Sequence, residues 1–113
     1  AASDVYKRQE LSDIDKHFLK KFSNVYLCDR LINDWVDTAI IVSNLNKIIT
    51  VDTSLVHIGG TLEIPTKVLL PADPDWRWGV KGTRTKWYKT VSLIRQKDRD
   101  NWEDVIKDLV KNP

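Results

Sequence analysis

The chain has 113 residues, 42% of them hydrophobic and 30% charged, and a net charge of +2. That length holds one domain, or part of one, with a real core, and the ordinary apolar content argues against disorder. Interspersed acidic and basic residues leave no basic stripe for nucleic acid, and the longest apolar run, Ala39–Val42, is far too short to span a membrane.

Residues 1–10 show no clear period and no apolar run of the kind a secretory signal carries, so they read as a disordered or non-native leader. A single partial domain is expected over residues 11–113. Ser12, with Asp15 three positions on, predicts a helix start, and Leu11, Ile14, Phe18 and Phe22 form its apolar stripe. Val25–Cys28 reads as a short strand. Cys28 is the only cysteine, which excludes an internal disulfide, fits a reducing cytoplasmic setting and suits a small core residue.

Asp34 followed by Asp37 predicts a second helix with Val36, Ala39, Ile40 and Leu45 at helical spacing. Lys47–Val51 is the second strand; its β-branched residues predict burial on both faces. Thr53 or Ser54 then caps a helix whose inward face is expected to carry Leu55, Ile58 and Leu62. Gly59-Gly60 within it predicts close packing on a sheet, because missing side chains let backbones approach. Thr66–Leu70 is the third strand, stopped by Pro71, and Val91–Ile94 is a fourth after a long irregular segment, 72–89. Asp100 with Glu103 starts a last helix, with Trp102, Val105, Ile106, Leu109 and Val110 on its inner face.

Helices alternating with strands predict an α/β fold: a Rossmann-like three-layer sandwich around a parallel sheet of about four strands. Right-handed crossovers bring the strand-to-helix turns to one edge of that sheet, so Asp29–Asp34, Asp52–Ser54 and Pro71–Trp78 are expected to meet there. A helix N-terminus after a parallel strand presents unpaired amides and partial positive charge, which suits an anion such as a diphosphate.

Asp52, Ser54 and His57 are the residue types of a nucleophilic triad, but they lie within six residues on one turn, without a Gly-x-Ser-x-Gly elbow. A triad needs groups converging from separate elements, so this reading is set aside. Two histidines, His17 and His57, without zinc-type spacing make no metal site. His57 reads either as a half-buried helix residue bonded to a carbonyl or as a donor to a phosphate oxygen. In Asp75-Trp-Arg-Trp78, two tryptophans flank an arginine in a loop. They suit stacking on a sugar or base and pairing with phosphate; alternatively, one or both cover the core.

Taken together, Asp37-Thr-Ala39, Asn44-Leu45, Val51-Asp-Thr-Ser54, His57, Gly60, Pro65, Leu69-Leu-Pro71, Asp75-Trp-Arg-Trp78, Trp87-Tyr88 and Arg95-Gln96 resemble one known family. The sequence is similar, from about Trp35 to Leu109, to the carboxyl-terminal half of the heptosyltransferase-like glycosyltransferases, related to the ADP-heptose–lipopolysaccharide heptosyltransferases. The resemblance is to the bacterial branch in which this domain follows tetratricopeptide repeats. It departs from the family at Gly59-Gly60, where an alanine-rich run is common, and at Glu63-Ile64 before the proline.

The resemblance implies a truncated GT-B carboxyl-terminal domain that binds a nucleotide-diphosphate sugar without a metal or other cofactor. Carried onto this sequence, it gives Thr53, Ser54, Leu55 and His57 to the donor diphosphate and Asp52 to the donor sugar. Asp34, Trp35, Trp76, Arg77 and Trp78 would line the cleft. No catalytic residue is assigned, because the resemblance puts the general base on an amino-terminal domain missing here. The chain alone is therefore expected to be an inactive donor-binding portion of a transferase. Its expected partners are the donor, that domain and a second copy paired through an exposed sheet edge, with no nucleic acid and no membrane span. The alternatives are a non-catalytic interaction domain on the same fold and a different nucleotide-dependent enzyme such as a sugar-nucleotide epimerase.

Overall fold

The structure, a computed structural model, describes residues 3–5, 12–28 and 31–112, with side chains from residue 12 onward. The chain divides into two compact units, Ala1–Ile40 and Ile41–Pro113.

In the first unit, helix α1 (Asp13–Leu19) starts where the capping pattern places it. The Ser12 hydroxyl accepts from the Asp15 amide at 3.2 Å, and Asp13 and Asp15 sit in the first turn, where the dipole favours negative charge. The expected apolar stripe does not face a core. Ile14, Phe18 and Phe22 are exposed, with Phe18 and Phe22 packed edge to face at 5.5 Å, and Leu11 lies outside the described residues. Strand β1 (Ser3–Val5) falls within the expected leader and pairs in parallel with β2 (Val25–Leu27), in register Ser3↔Val25 to Val5↔Leu27. Half-buried Cys28 follows β2.

Helix α2 (Trp35–Ser43) begins in the first unit and ends in the second. Asp34 Oδ1 accepts from the Asp37 amide and Asp37 Oδ2 accepts from the Asn33 amide, both at 2.9 Å, a reciprocal cap that satisfies two donors. The buried face of α2 is only partly the one predicted: Ala39 is half-buried, as is Leu45 beyond the helix, which packs against the buried Val42, Ile48 and Ile64. Val36 and Ile40 are exposed, whereas Thr38 and Val42, four residues apart, are buried. Thr38 can sit inside because its hydroxyl donates to the Asp34 carbonyl at 3.3 Å.

The second unit is built on a three-stranded parallel sheet in the order β3-β4-β5, formed by β3 (Ile48–Val51), β4 (Thr66–Leu70) and β5 (Val91–Arg95). Three of the four predicted strands thus share one sheet, and Val25–Leu27 belongs to the two-stranded one. The register aligns Ile48, Thr66 and Val91, then Thr50, Val68 and Leu93, on the same face.

Helix α3 (Ser54–Thr61) lies on that face. Val56 joins Val68, Leu70, Trp78, Val91 and Leu93 in one buried cluster. Gly59 packs so closely that a Cβ would come within 2.5 Å of Thr66 Oγ1 and 2.8 Å of Ile48 Cδ1, which explains the glycine. Helix α4 (Glu103–Lys111) packs on β5, and the Lys67 ammonium donates to the Asn112 carbonyl just beyond it. Lys67 alternates with Thr66 and Val68, so α4 ends on the opposite face and the unit has three layers: helix, sheet, helix.

That second helix does not reach across to β3. Ile49 and Val51, expected inside, are 47% and 51% exposed, because β3 is an edge strand with only its α3 face covered. Similar shifts occur in both helices. Val56, Gly59 and Gly60 are the buried residues of α3, with Leu55 and Ile58 half-buried on a Val42–Ile48–Ile64 cluster and Leu62 exposed. In α4, Val105 is buried and Leu109 half-buried, while Trp102, Ile106 and Val110 are exposed.

Candidate functional site at the carboxyl edge of the parallel sheet

The turn from β3 into α3 sits at the carboxyl end of a parallel strand, and its chemistry follows from how the helix starts. Thr53 is the N-cap residue by position, but its hydroxyl makes no cap bond and lies 3.3 Å from Thr50 Oγ1. Thr50 in turn donates to the Val51 carbonyl at 3.1 Å. The Val56 amide bonds the Thr53 carbonyl at 3.0 Å. Among the described residues, the amides of Ser54 and Leu55 have no hydrogen-bond partner: the Leu55 amide is one that an N-cap side chain could have taken, and the Ser54 amide is one that a helix start ordinarily leaves open. Asp52, Thr53 and Ser54 are exposed and Leu55 is half-buried.

His57 sits one turn into α3, and both of its ring nitrogens are engaged. Nδ1 is 2.9 Å from Tyr88 Oη, and Nε2 is 3.1 Å from Arg77 Nη1. A guanidinium can only donate, so Nε2 accepts; in the neutral ring the proton is then on Nδ1, which donates to the tyrosine oxygen. The ring stacks over Trp78 at 6.1 Å and 19°, and meets Tyr88 edge-on at 5.8 Å. Neither nitrogen contacts a backbone carbonyl or Ser54, so the partners of His57 are side chains of the segment after β4.

That segment is ordered by its own sequence. Asp75 caps a 3-10 turn, Trp76–Trp78, accepting from the Arg77 amide and from Arg77 Nε, each at 3.1 Å. The backbone bond first, then the guanidinium, holds the Asp75 carboxyl below the usual carboxylate range. The two tryptophans take opposite roles: Trp78 is buried in the core, and Trp76 is 82% exposed. Half-exposed Trp87 donates from Nε1 to the Arg77 carbonyl at 2.9 Å, with the Lys86 ammonium 5.9 Å from its ring centre.

Two residues quoted in the resemblance without a role turn out to fix the rim. Arg95, at the end of β5, donates to the carbonyls of Trp78, Gly79, Lys81 and Gly82 at 2.5–3.3 Å. It thereby folds a turn in which Gly79 and Gly82 hold φ of +70° and +98°. The Oε1 of buried Gln96 accepts from the Ala72 amide at 3.0 Å, and the Gln96 backbone N–H donates to the Leu70 carbonyl at 2.9 Å, tying the exits of β4 and β5 together. Tyr88 is the partner that sequence reasoning missed. It is quoted in the resemblance, as Trp87-Tyr88, without a role, and its structural signal is Gly60, where a Cβ would come within 2.4 Å of the tyrosine ring.

Asp52, Thr53, Ser54, Leu55, His57, Trp76, Arg77 and Trp78 therefore all belong to the second unit, with His57, Arg77 and Trp78 in mutual contact. Asp34 and Trp35 belong to the first, where Asp34 caps α2 and Trp35 is exposed. Residues 29 and 30 of the first expected rim segment lie outside the described residues. No group of histidine, cysteine and acidic side chains among the described residues could hold a metal ion, and none of their helices is long and apolar enough to cross a membrane. No family model, curated protein or solved structure matches the chain.

Proposed function

We propose that the second unit is the donor-binding portion of a glycosyltransferase, half of a GT-B arrangement working in the cytoplasm. In this reading it holds the diphosphate of a nucleotide sugar without a metal ion. The observation that carries it is the uncapped start of α3. Two amides without partners among the described residues, at the carboxyl end of a parallel strand, offer an anion both hydrogen bonds and the positive end of the helix dipole. The exposed Asp52 carboxylate beside them is an acceptor for sugar hydroxyls. Transfer would also need a base on the acceptor side, which the resemblance assigns to a second domain, so the proposed role of this chain alone is binding without turnover.

Ser54→Pro tests the reading. Proline is favoured at the first helical position, and Thr53 already has the extended conformation (φ −138°, ψ 171°) that a following proline requires. The variant removes one amide and one hydroxyl donor and leaves the helix in place. We expect nucleoside diphosphates to quench the tryptophan fluorescence of the native chain and to bind Ser54→Pro about tenfold more weakly, the worth of one charge-assisted bond. Equal binding by both would contradict the reading.

A second reading, an interaction domain on the same fold, draws on the exposed Trp76 and on the open β3 face at Ile49 and Val51. It predicts no nucleotide binding. It also predicts a concentration-dependent mass in light scattering, through pairing of the β3 edge with a second copy.

A further inference from the structure

We propose that Arg77 is the anion-contacting side chain of this site, and that His57 and Tyr88 are positioning residues that aim it. The inference rests on the reading of the site as one that holds phosphate groups. It changes which residue touches them: His57, expected as the phosphate donor, has both nitrogens committed to protein partners.

The guanidinium carries five N–H donors in a planar fork. Nε is bonded to Asp75 and one Nη1 hydrogen to His57. Among the described residues, Nη2 and the remaining Nη1 hydrogen have no partner, and the side chain is half-buried, not enclosed. An arginine held at two of its three nitrogens has already lost much of its rotamer freedom. Its open hydrogens match two oxygens of a phosphate at little further entropic cost. The Arg77 backbone is fixed as well, through the bond from its carbonyl to Trp87 Nε1.

What holds the guanidinium is a chain of side chains running out from α3. Gly60 leaves room for the Tyr88 ring, Tyr88 accepts the Nδ1 proton of His57, and Nε2 accepts from Arg77. The chain joins the helix that carries the open amides to the loop that carries the arginine. One anion could then take donors from both. Asp75 opposes that anion by its charge, while its bond to Nε sets the plane of the fork.

The test is calorimetric titration of the full chain with pyrophosphate, and separately with ADP and UDP, alongside thermal melts. The native protein should bind pyrophosphate, and Arg77→Gln should weaken this about tenfold or more, the loss expected for a charge-assisted bidentate contact. Arg77→Lys should recover only part of the loss, since an ammonium lacks the fork. Asp75→Asn keeps an oxygen for Nε and should tighten anion binding. His57→Leu should weaken binding, and His57→Gln, which restores an acceptor near Nε2, should recover it; a merely structural histidine would not show that rescue at matched Tm. Native-like binding in folded Arg77→Gln or Arg77→Lys overturns this assignment and leaves the nucleotide reading standing. Pyrophosphate binding that needs Arg77, with no binding of ADP or UDP, supports the assignment and overturns the nucleotide reading. No binding of any of the three overturns both.

Discussion

Helix α1 in the first unit carries Ile14 and Phe18 at helical spacing, with Phe22 just beyond its end, yet the three are 82%, 55% and 46% exposed. In the second unit, α3 has a less regular apolar pattern interrupted by two glycines, yet Val56, Gly59 and Gly60 are buried. The difference lies in what each helix has to pack on. β3, β4 and β5 offer α3 a continuous face of Ile48, Val68, Leu70, Val91 and Leu93, and Gly59 lets the helix settle onto it. The first unit pairs two strands of three residues each and buries no residue of α1. Periodicity says which residues could face a core; a sheet of sufficient width decides whether a core forms.

Paired truncations put the contrast in numbers. Leu70→Ala, at a fully buried position of the central strand, should cost about 2–5 kcal/mol in urea unfolding followed by tryptophan fluorescence. Phe18→Ala in α1 should change the same transition by less than about 1 kcal/mol, because most of its ring is already in water. Comparable losses from the two would break the distinction between the units.

Gly60→Ala comes next in size. The added Cβ would fall within 2.4 Å of the Tyr88 ring, and overpacking of about 1–3 kcal/mol outweighs a helix-propensity gain of about 1 kcal/mol. We expect net destabilisation, together with loss of the Tyr88–His57 bond seen as a changed imidazole signal in NMR. A stabilised variant would mean that the Tyr88 ring can move aside at no cost.

Removing a cap is a smaller change, and it probes the helix that starts in one unit and ends in the other. Asp34→Ala takes away the acceptor for the Asp37 amide and should cost about 1 kcal/mol, read by amide exchange in α2. Unchanged protection there would mean that packing of Thr38 and Val42 alone fixes the helix start.

The smallest effect is one of pH. The Asp75 carboxyl titrates below its usual range because the Arg77 amide and guanidinium bond its charged form. A folded-state value below the unfolded one contributes stability above the ordinary carboxylate range and loses it as pH falls through the folded value. Fluorescence of the exposed Trp76 should therefore change on the acid side in the native chain, and Asp75→Asn should remove that step. An identical acid transition in both proteins would assign it to another carboxylate.

Much of the second unit could be read from residue order. The alternation of strands and helices, the Thr66–Leu70 strand and the close approach at Gly59 are dictated locally, by β-branched runs, by Pro65 and Pro71, and by absent side chains. The caps at Ser12 and Asp34 were legible for the same reason. Pairing in β1 and the burial of Thr38 in place of Val36 were not, because they depend on partners that a local window does not contain. The site divides in the same way. Its turn, Asp52 to Leu55, is contiguous, whereas His57 meets Arg77 twenty residues on and Tyr88 thirty-one residues on, through a loop that Arg95 folds into place.

We propose that the open start of α3 holds a nucleoside diphosphate. Isothermal titration of ADP and of UDP into the full chain and into Ser54→Pro, at matched Tm, tests it most directly. A saturable one-site heat is expected for at least one of the two nucleotides, with marked weakening in the variant. Absence of heat with both, or identical curves for the two proteins, would contradict it.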